Sequence, residues 1–282
     1  MESSRYALIT PSYWMDVERC RFLVETVRRW VADDVHHYLV IARRDVALFK
    51  SMLGPRTELM VVEDIIPPWL FRVPGIRRFW LSLRTRPVKN WILQQIVKLS
   101  VPAAVDEEVL LYADSDMFFV DRFDPRSYER DGKVPLLLEP GQRGLIPSNQ
   151  VWQATAARLL GLPEEEDDIN YIGQLIWWRR TNALAALRRV AEVTGTDWQC
   201  AIAPLSGFSE YILYGTFCHR VLGDASGHWH DGLHRTLNYW ETAPLGIEGL
   251  REFKAQLAPH HHSAMVSAKS GTTIEDVRQV FG

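Results

Sequence analysis

Two aspartates separated by a single residue, Asp114 and Asp116, lie between the apolar runs 109–112 and 117–119. Like charges at the end of a buried strand repel each other and lose hydration unless a cation or hydrogen-bond donors compensate them. Carboxylate oxygens suit Mg²⁺ or Mn²⁺, and such an ion stabilises a departing diphosphate. The alternative is that the pair only caps a turn, where aspartate is common. The apolar flanks favour the metal interpretation.

The elements that must position this pair alternate between strands and helices over the first 120 residues. Strands are predicted at 6–10, 37–42, 58–62 and 109–112, and helices at 16–31, 45–53 and 88–99. Strands separated by helices pair in parallel through right-handed crossovers. Ligands of such sheets bind beyond the carboxyl ends of the strands, which is where the two aspartates lie.

The second half of the chain has a less regular pattern. Strands are predicted at 134–138 and 172–178, and helices at 148–160, 181–193, 206–222 and 273–281. The sequence contains no internal repeat and no linker rich in proline and glycine. The pattern therefore predicts one continuous α/β domain.

Composition excludes several classes of protein. The 282 residues are 47% hydrophobic and 24% charged, with a net charge of −3, which is typical of a globular protein and not of a dedicated nucleic-acid binder. No stretch has the apolar length that spans a bilayer, and the N-terminus lacks a signal-peptide pattern. Three cysteines without a CxxC motif indicate a reducing compartment, so a cytoplasmic location is expected.

Six segments resemble the GT-A class of nucleotide-sugar-dependent glycosyltransferases, and more closely a bacterial branch of that class. They are ALITPSY at 7–13, QQIVKL at 94–99, LLYADSDMFF at 110–119, IGQLIWWRR at 172–180, GFSEYILYG at 207–215 and HHHSAMVS at 260–267. The resemblance implies a Rossmann-like, mainly parallel sheet with helices on both faces and a mixed second half. Within the single domain 1–282, residues 1–120 would bind the nucleotide, and residues 121–282 would bind the acceptor and complete the metal site.

The same resemblance implies an activity. A sugar would move from a nucleoside-diphosphate sugar, with a UDP-sugar favoured, to a hydroxyl of a glycan or lipid-linked acceptor. The reaction would need Mn²⁺ or Mg²⁺ and would serve the synthesis of a bacterial surface or secreted glycan.

Metal ligands carry over from the class to particular residues. Asp116 corresponds to the direct ligand, and Asp114 to a residue that contacts the donor or reaches the metal through water. Several GT-A families add a C-terminal histidine, and among His260, His261 and His262 the last is favoured. Strand alternation would place only one or two of the three on the side of the site. The alternative is an exposed loop of imidazoles.

A second histidine group, His228, His230 and His234, belongs to the segment HWHDGLH. A His-x-His pair can ligate zinc from one face of a strand. No neighbouring cysteine or acidic pattern completes a zinc signature, so a structural role or contact with the acceptor is favoured.

Residues near the carboxyl ends of the early strands are candidates for nucleotide binding. Together with residues beside the acid pair, they are Thr10, Pro11, Ser12, Tyr13, Arg43, Asp45, Lys98, Tyr112 and Asp114. Lys98, on the helix before the acid pair, is expected to reach the donor phosphates. Each of these residues is individually as compatible with an ordinary surface or capping role.

Transfer with inversion of configuration requires a base that takes the acceptor proton. Glu210, near the start of a predicted helix, is the candidate. Asp168, at the end of the acidic run 164–168, is the rival candidate. In a retaining enzyme Glu210 would position the substrate instead.

The stretch 69–100 contains seven basic residues, interleaved with aromatic ones, and no acidic residue. Such a mixture suits an anionic acceptor or the inner membrane surface, a lid over the donor, or simply a solvated basic face. Peripheral contact with the inner membrane is therefore one of the open expectations.

Two other function classes remain open. The same acid pair would serve a metal-dependent nucleotidyltransferase or phosphohydrolase, which forms no glycoside. A tryptophan-rich chain, with 11 tryptophans, also suits a non-catalytic carbohydrate-binding protein on the same fold. A dinucleotide oxidoreductase is disfavoured because no GxGxxG follows the first strand, and no Walker A loop is present.

Overall fold

The computed structural model describes residues 5–73, 79–141, 148–163 and 169–282. The strands are Tyr6–Ser12 (β1), His36–Ile41 (β2), Thr57–Val61 (β3), Leu70–Phe71 (β4), Phe79–Ser82 (β5), Val88–Lys89 (β6), Val109–Tyr112 (β7), Met117–Phe119 (β8), Val134–Leu137 (β9), Ile176–Arg179 (β10), His228–Asp231 (β11), Thr236–Tyr239 (β12) and Ser263–Val266 (β13).

The α-helices are Val17–Trp30 (α1), Val46–Phe49 (α2), Val62–Ile65 (α3), Asn90–Ser100 (α4), Asn149–Leu160 (α5), Arg180–Thr194 (α6), Trp198–Ile202 (α7), Glu210–Thr216 (α8), Ile247–Lys254 (α9) and Ile274–Phe281 (α10). A π-helical segment, Phe217–Leu222, continues directly from α8. None of the helices in the described ranges is long and apolar enough to cross a membrane.

A five-stranded sheet in the order β10-β7-β1-β2-β3 forms the centre of the fold. Strands β7, β1, β2 and β3 are parallel, and only β10 runs antiparallel, against β7. The chain is therefore a mixed α/β protein built on a mostly parallel sheet. The chain crosses from β3 back to β7 on the far side of β1, so a crevice opens at the carboxyl ends of β1 and β7.

Both faces of the central sheet are covered by apolar residues. Alternate residues of β1 point to opposite faces: Ala7 and Ile9 belong to one buried cluster, and Tyr6 and Leu8 to another. The first cluster includes side chains of α4, α5, α6 and α8, and the second includes side chains of α1. This burial explains why the central strands are nearly continuous apolar runs.

Smaller sheets complete the structure. Strand β8 leaves the central sheet directly after the acid pair and joins a three-stranded sheet in the order β12-β13-β8, while β4-β5-β6 and β11-β9 form two more. Asp114 and Asp116 therefore connect two sheets. The antiparallel pairing of β8 with β13 brings the segment after β13 back to the acid pair.

The predicted elements agree with the structure in most places and differ at particular ends. The first strand extends to Ser12, because residues 10–12 pair with β2 as well. The predicted helix 206–222 begins only at Glu210 and becomes π-helical after Thr216. The three histidines at 260–262 precede β13 instead of belonging to it. The short strands β4, β5, β6, β8, β11 and β12 are absent from the sequence prediction.

Candidate functional site

Gln174 forms hydrogen bonds with both the backbone and the side chain of Asp114, just after the carboxyl end of β7. The Asp114 backbone N–H donates to Gln174 Oε1 at 3.0 Å, and Gln174 Nε2 donates to Asp114 Oδ2 at 3.0 Å. The residue after Gln174, Leu175, is buried and has a left-handed backbone with φ of 59°. This conformation is sterically unfavourable for leucine. It occurs in the turn from which the Gln174 side chain reaches Asp114.

Lys98 joins the two acids that the sequence singles out for different roles. Its Nζ lies 3.0 Å from Asp114 Oδ1 and 3.2 Å from Glu210 Oε1, and it donates to the hydroxyl of Tyr211 at 3.0 Å. The lysine side chain is 4% exposed. Burial by itself would lower the lysine pKa, but Asp114, Tyr211 and Glu210 together raise it well above its usual value. Lys98 is therefore a buried ammonium ion.

The helix α4 lines the site because three of its residues share one face. Trp91, Gln95 and Lys98 follow the spacing i, i+4, i+7, which aligns side chains along one stripe of a helix. Gln95 Oε1 accepts a hydrogen bond from the Glu210 backbone N–H at 3.1 Å. Tyr112, at the end of β7, donates its hydroxyl to the Lys98 carbonyl at 2.8 Å. These bonds fix α4 against both β7 and α8.

Glu210 is the first residue of α8 and is buried. Burial raises the pKa of its carboxyl above the usual value, although the Lys98 ammonium lowers it in part. Ser209, the residue before it, caps α8 by accepting a hydrogen bond from the Ile212 N–H at 3.4 Å. A buried carboxyl with a raised pKa is a stronger base than an exposed glutamate.

Asp116 has a different environment from Asp114. Its Oδ2 accepts the Ala268 N–H at 3.0 Å, and the described residues place no ion pair on it. Burial, with the negative charge of Asp114 added, raises the pKa of Asp116 to about 6. By contrast, burial would raise the pKa of Asp114, but Lys98 and Gln174 overcome that effect and lower it.

A third carboxyl, Asp16, belongs to the same group. It immediately precedes α1, but its side chain makes no capping hydrogen bond, and its Oδ2 instead accepts a hydrogen bond from Ser115 Oγ at 3.4 Å. Burial raises its pKa, and the charge of Asp114 adds to this effect. Three carboxyl groups therefore converge on the crevice between β1 and β7.

The residues proposed to contact the nucleotide after β1 divide into two sets. Thr10 and Pro11 are buried inside the strand, and Thr10 Oγ1 is bonded to His37 Nε2 at 3.0 Å. Their position in the sheet does not support a ligand contact. Ser12 ends the strand, and Tyr13 is exposed after it. Burial raises the pKa of Tyr13, and the negative charges of Asp16 and Asp116 add to that effect.

The other nucleotide candidates also differ in position. Arg43 and Asp45 follow β2, where the Arg43 N–H donates to Glu63 Oε2 at 2.7 Å and its guanidinium pairs with Asp64. Tyr112 is fully buried against Trp178. Its predicted contact with the nucleotide is therefore replaced by a role in holding α4. Lys98 contacts acids of the chain itself, at the place where the sequence predicted contact with phosphates.

The structure does not bring His262 to the acid pair. Val120, which follows β8, donates its N–H to the His262 carbonyl at 2.9 Å, whereas Asp116 precedes β8. About four residues of strand, or roughly 13 Å, separate the two positions. The ring nitrogens of His262 are also engaged, by the Tyr128 hydroxyl and by the Arg122 carbonyl.

The second histidine group is dispersed. His228 is buried, with Nε2 2.7 Å from the Tyr214 hydroxyl and Nδ1 3.0 Å from the Pro135 carbonyl, and burial lowers its pKa to about 4. His230 packs edge-on against His219, and His234 contacts Glu139 at 2.9 Å. Asp168, the rival base, lies outside the described residues, as does the whole run 164–168.

Sequence reasoning missed Gln95, Gln174 and Tyr211 as site residues. Gln95 was detectable from its spacing, because it lies four residues after Trp91 and three before Lys98 on one face of α4. Gln174 and Tyr211 lie in the segments 172–180 and 207–215 that carry the family resemblance, but nothing in their local pattern distinguishes them from core residues.

The fit of a divalent ion depends on the donor groups present. In residues 5–73, 79–141, 148–163 and 169–282, no three side chains among histidine, cysteine, aspartate and glutamate are placed to hold a metal. Mg²⁺ commonly takes one or two carboxylates and completes its shell with water and substrate phosphates. The Asp116 carboxylate, buried and near two like charges, has the chemistry of such a ligand, whereas Asp114 is already neutralised by Lys98.

Comparison with known proteins gives a family but no activity. No curated protein matches the sequence. Residues 8–239 match a family of unknown function, DUF6492, and this match includes most of β1, the acid pair, Lys98 and Glu210. Because the match spans most of the chain, the protein belongs to the DUF6492 family.

Proposed function

We propose that the protein is a GT-A-type glycosyltransferase that moves a sugar from a nucleoside-diphosphate sugar to an acceptor hydroxyl with the help of Mn²⁺ or Mg²⁺. The observation that carries the proposal is the contact of Lys98 with both Asp114 and Glu210, beside Asp116, at the carboxyl end of a central parallel strand. Groups for leaving-group stabilisation and for proton transfer thus lie within one crevice, where parallel sheets bind ligands.

Two aspartates divide the work on the donor. Asp116 would hold the divalent ion, which when bound supplies positive charge to the departing diphosphate. Asp114 is fixed by Gln174 and Lys98, so its oxygens are positioned for a hydroxyl of the donor and not for a second full metal bond. The ammonium of Lys98, 3.0 Å from Asp114 Oδ1, adds a positive charge beside the donor.

Glu210 is the proposed base. Its carboxylate takes the proton of the acceptor hydroxyl, the acceptor oxygen bonds to the anomeric carbon, and the bond from that carbon to the diphosphate oxygen breaks. The raised pKa of Glu210 improves its match to a hydroxyl proton. Lys98 keeps the carboxylate oriented, and Gln95 holds the backbone N–H of Glu210 in place.

A product analysis tests this function. The wild-type protein is incubated with Mn²⁺ and UDP- and GDP-sugars, and the products are identified by NMR. With water in place of the acceptor hydroxyl, we expect nucleoside diphosphate and free sugar, with Glu210→Gln slower by about 10²–10⁴-fold. Glu248→Gln, an exposed site on α9, is the matched control. Release of sugar phosphate or pyrophosphate instead would identify a phosphohydrolase or nucleotidyltransferase.

A further inference from the structure

An exposed aromatic surface lies beside Glu210. The Trp91 side chain is 44% exposed, and its ring centroid is 5.8 Å from that of the half-buried Trp152. Val151, adjacent to Trp152, is 56% exposed. We call these three residues the tryptophan platform. Adjoining exposed apolar side chains of this size are a feature of binding surfaces, unlike single exposed residues.

The two helices that carry the tryptophan platform contact the backbone around the proposed base from two directions. On α4, Gln95 Nε2 donates to the Trp91 carbonyl at 3.3 Å while Gln95 Oε1 accepts from the Glu210 N–H. Trp91 lies about 6 Å along the helix axis from Gln95. From α5, Val151 packs against the backbone before α8, where a Cβ added at Gly207 would lie only 2.7 Å from Val151 Cγ1.

The platform is positioned away from the donor side of the site. Lys98 and Asp114 mark the inner end of the α4 stripe, whereas Trp91 is at its outer end, two helical turns away. The donor contacts of the proposed function lie near β1 and β7 at the inner end. A molecule on the platform would therefore approach Glu210 from the side opposite the donor.

The chemistry of the platform suits a sugar ring. Exposed indole faces pack against the apolar C–H face of a pyranose, and polar groups at the edge bond its hydroxyls. Lys89 supplies such a group at the same end of α4, since it is exposed.

We propose that the tryptophan platform binds a sugar unit of a glycan acceptor and so presents a neighbouring hydroxyl to Glu210. This inference rests on the proposed function and names the acceptor class as a preformed oligosaccharide. It assigns Trp91 and Trp152 to substrate binding, a role distinct from that of the acids.

Binding measurements with defined probes test the platform. The wild-type protein is screened against soluble linear oligosaccharides of glucose, galactose, mannose and N-acetylglucosamine, and the tightest binder is measured by calorimetry. We expect Trp91→Ala and Trp152→Ala each to weaken that binding about tenfold, and Trp91→Phe to retain most of it. Trp30→Ala, at the opposite end of the sheet from the site, should bind as wild type does.

Each outcome has a defined meaning when binding of UDP or GDP with Mn²⁺ is measured on the same samples. Unchanged oligosaccharide affinity in both alanine variants, or no affinity in the wild type for any probe, overturns the platform. Binding to phosphatidylglycerol vesicles that depends on Trp91, without sugar binding, also overturns it and indicates a membrane partner. If the wild-type protein binds an oligosaccharide but neither UDP nor GDP, the proposed function is defeated and the platform remains a carbohydrate-binding site.

Discussion

At the scale of single residues, the acid pair is unequal. Asp114 is neutralised by a buried lysine, which together with Gln174 lowers its pKa, whereas burial and the neighbouring negative charge raise the pKa of Asp116 to about 6. The protein thus keeps one aspartate satisfied internally. Negative charge on the other carboxylate is costly by itself and becomes favourable when a cation binds.

Because the two aspartates have different environments, replacing each of them with asparagine should have opposite effects on stability. Because folding favours the protonated form of Asp116, the contribution of this residue to the free energy of unfolding should fall as pH rises from about 4 to above 6. Asp116→Asn should therefore stabilise the protein at pH 8 by about 1–3 kcal/mol and have little effect at pH 4. Urea denaturation at the two pH values measures this difference.

Asp114→Asn is the matched control for that prediction. It removes the acid that Lys98 neutralises, so it should destabilise the protein at pH 8 by about 1–3 kcal/mol. Destabilisation of the same size by both substitutions would contradict the assignment of different environments to the two carboxyls.

Lys98 provides a second residue-level prediction. Lys98→Met leaves two buried carboxyls without their cation, so the free energy of unfolding should fall by about 3–5 kcal/mol at pH 7. The cost should be smaller by about 1–2 kcal/mol in a Glu210→Gln background, because one uncompensated charge has been removed. A double-mutant cycle in urea gives this coupling, and strict additivity would show that Lys98 and Glu210 do not interact.

At the scale of elements, local patterns predicted what lies within an element better than what joins elements. The four parallel strands were predicted within two or three residues at their ends, because each is an apolar run between helices. The two-residue strands β4 and β6 were missed, since their length leaves no alternation to detect. Pairing of β8 with β13 was also missed, since it depends on contacts between distant parts of the chain.

The residues of the site were predicted better than the contacts between them, because those contacts join separate elements. Asp114, Glu210 and Lys98 were each predicted as site residues, but the pairing of Lys98 with both acids was not. The i, i+4, i+7 spacing of Trp91, Gln95 and Lys98 shows a stripe, yet only the packing of α4 against α8 shows what that stripe meets. His262 looked suitable by resemblance, and the bonds to its ring nitrogens could not be read from the sequence.

The close approach of α8 to the segment before β10 gives a prediction at this scale. A Cβ at Gly215 would lie 2.2 Å from Tyr171 Cγ, whereas a Cβ at Gly246 would meet nothing within 4 Å. Gly215→Ala should thus lower the free energy of unfolding by about 1–3 kcal/mol or more through overpacking. Gly246→Ala should change it by less than about 1 kcal/mol. Equal melting temperatures of the two variants would contradict this packing.

At the scale of the whole molecule, the sheet explains why residues far apart in sequence meet. The carboxyl ends of β1 and β7 lie side by side, so Asp16, Asp114 and Asp116 share one crevice, and helices α4 and α8 close it from one face. The alternation of strands and helices predicted this mostly parallel sheet. Single-domain organisation, a GT-A relationship and a role in glycan synthesis stay predictions.

The most direct test of the account is nucleotide binding with and without a divalent ion. UDP and GDP, each at about 100 times its dissociation constant with Mn²⁺, should raise the free energy of unfolding by about 3 kcal/mol. This ligand-induced gain should disappear when Mn²⁺ is replaced by EDTA or when Asp116 is changed to Asn. It should persist in Asp33→Asn, a control at a fully exposed aspartate. An equal gain without the ion, or in Asp116→Asn, would contradict the central claim that Asp116 holds a cation for a diphosphate.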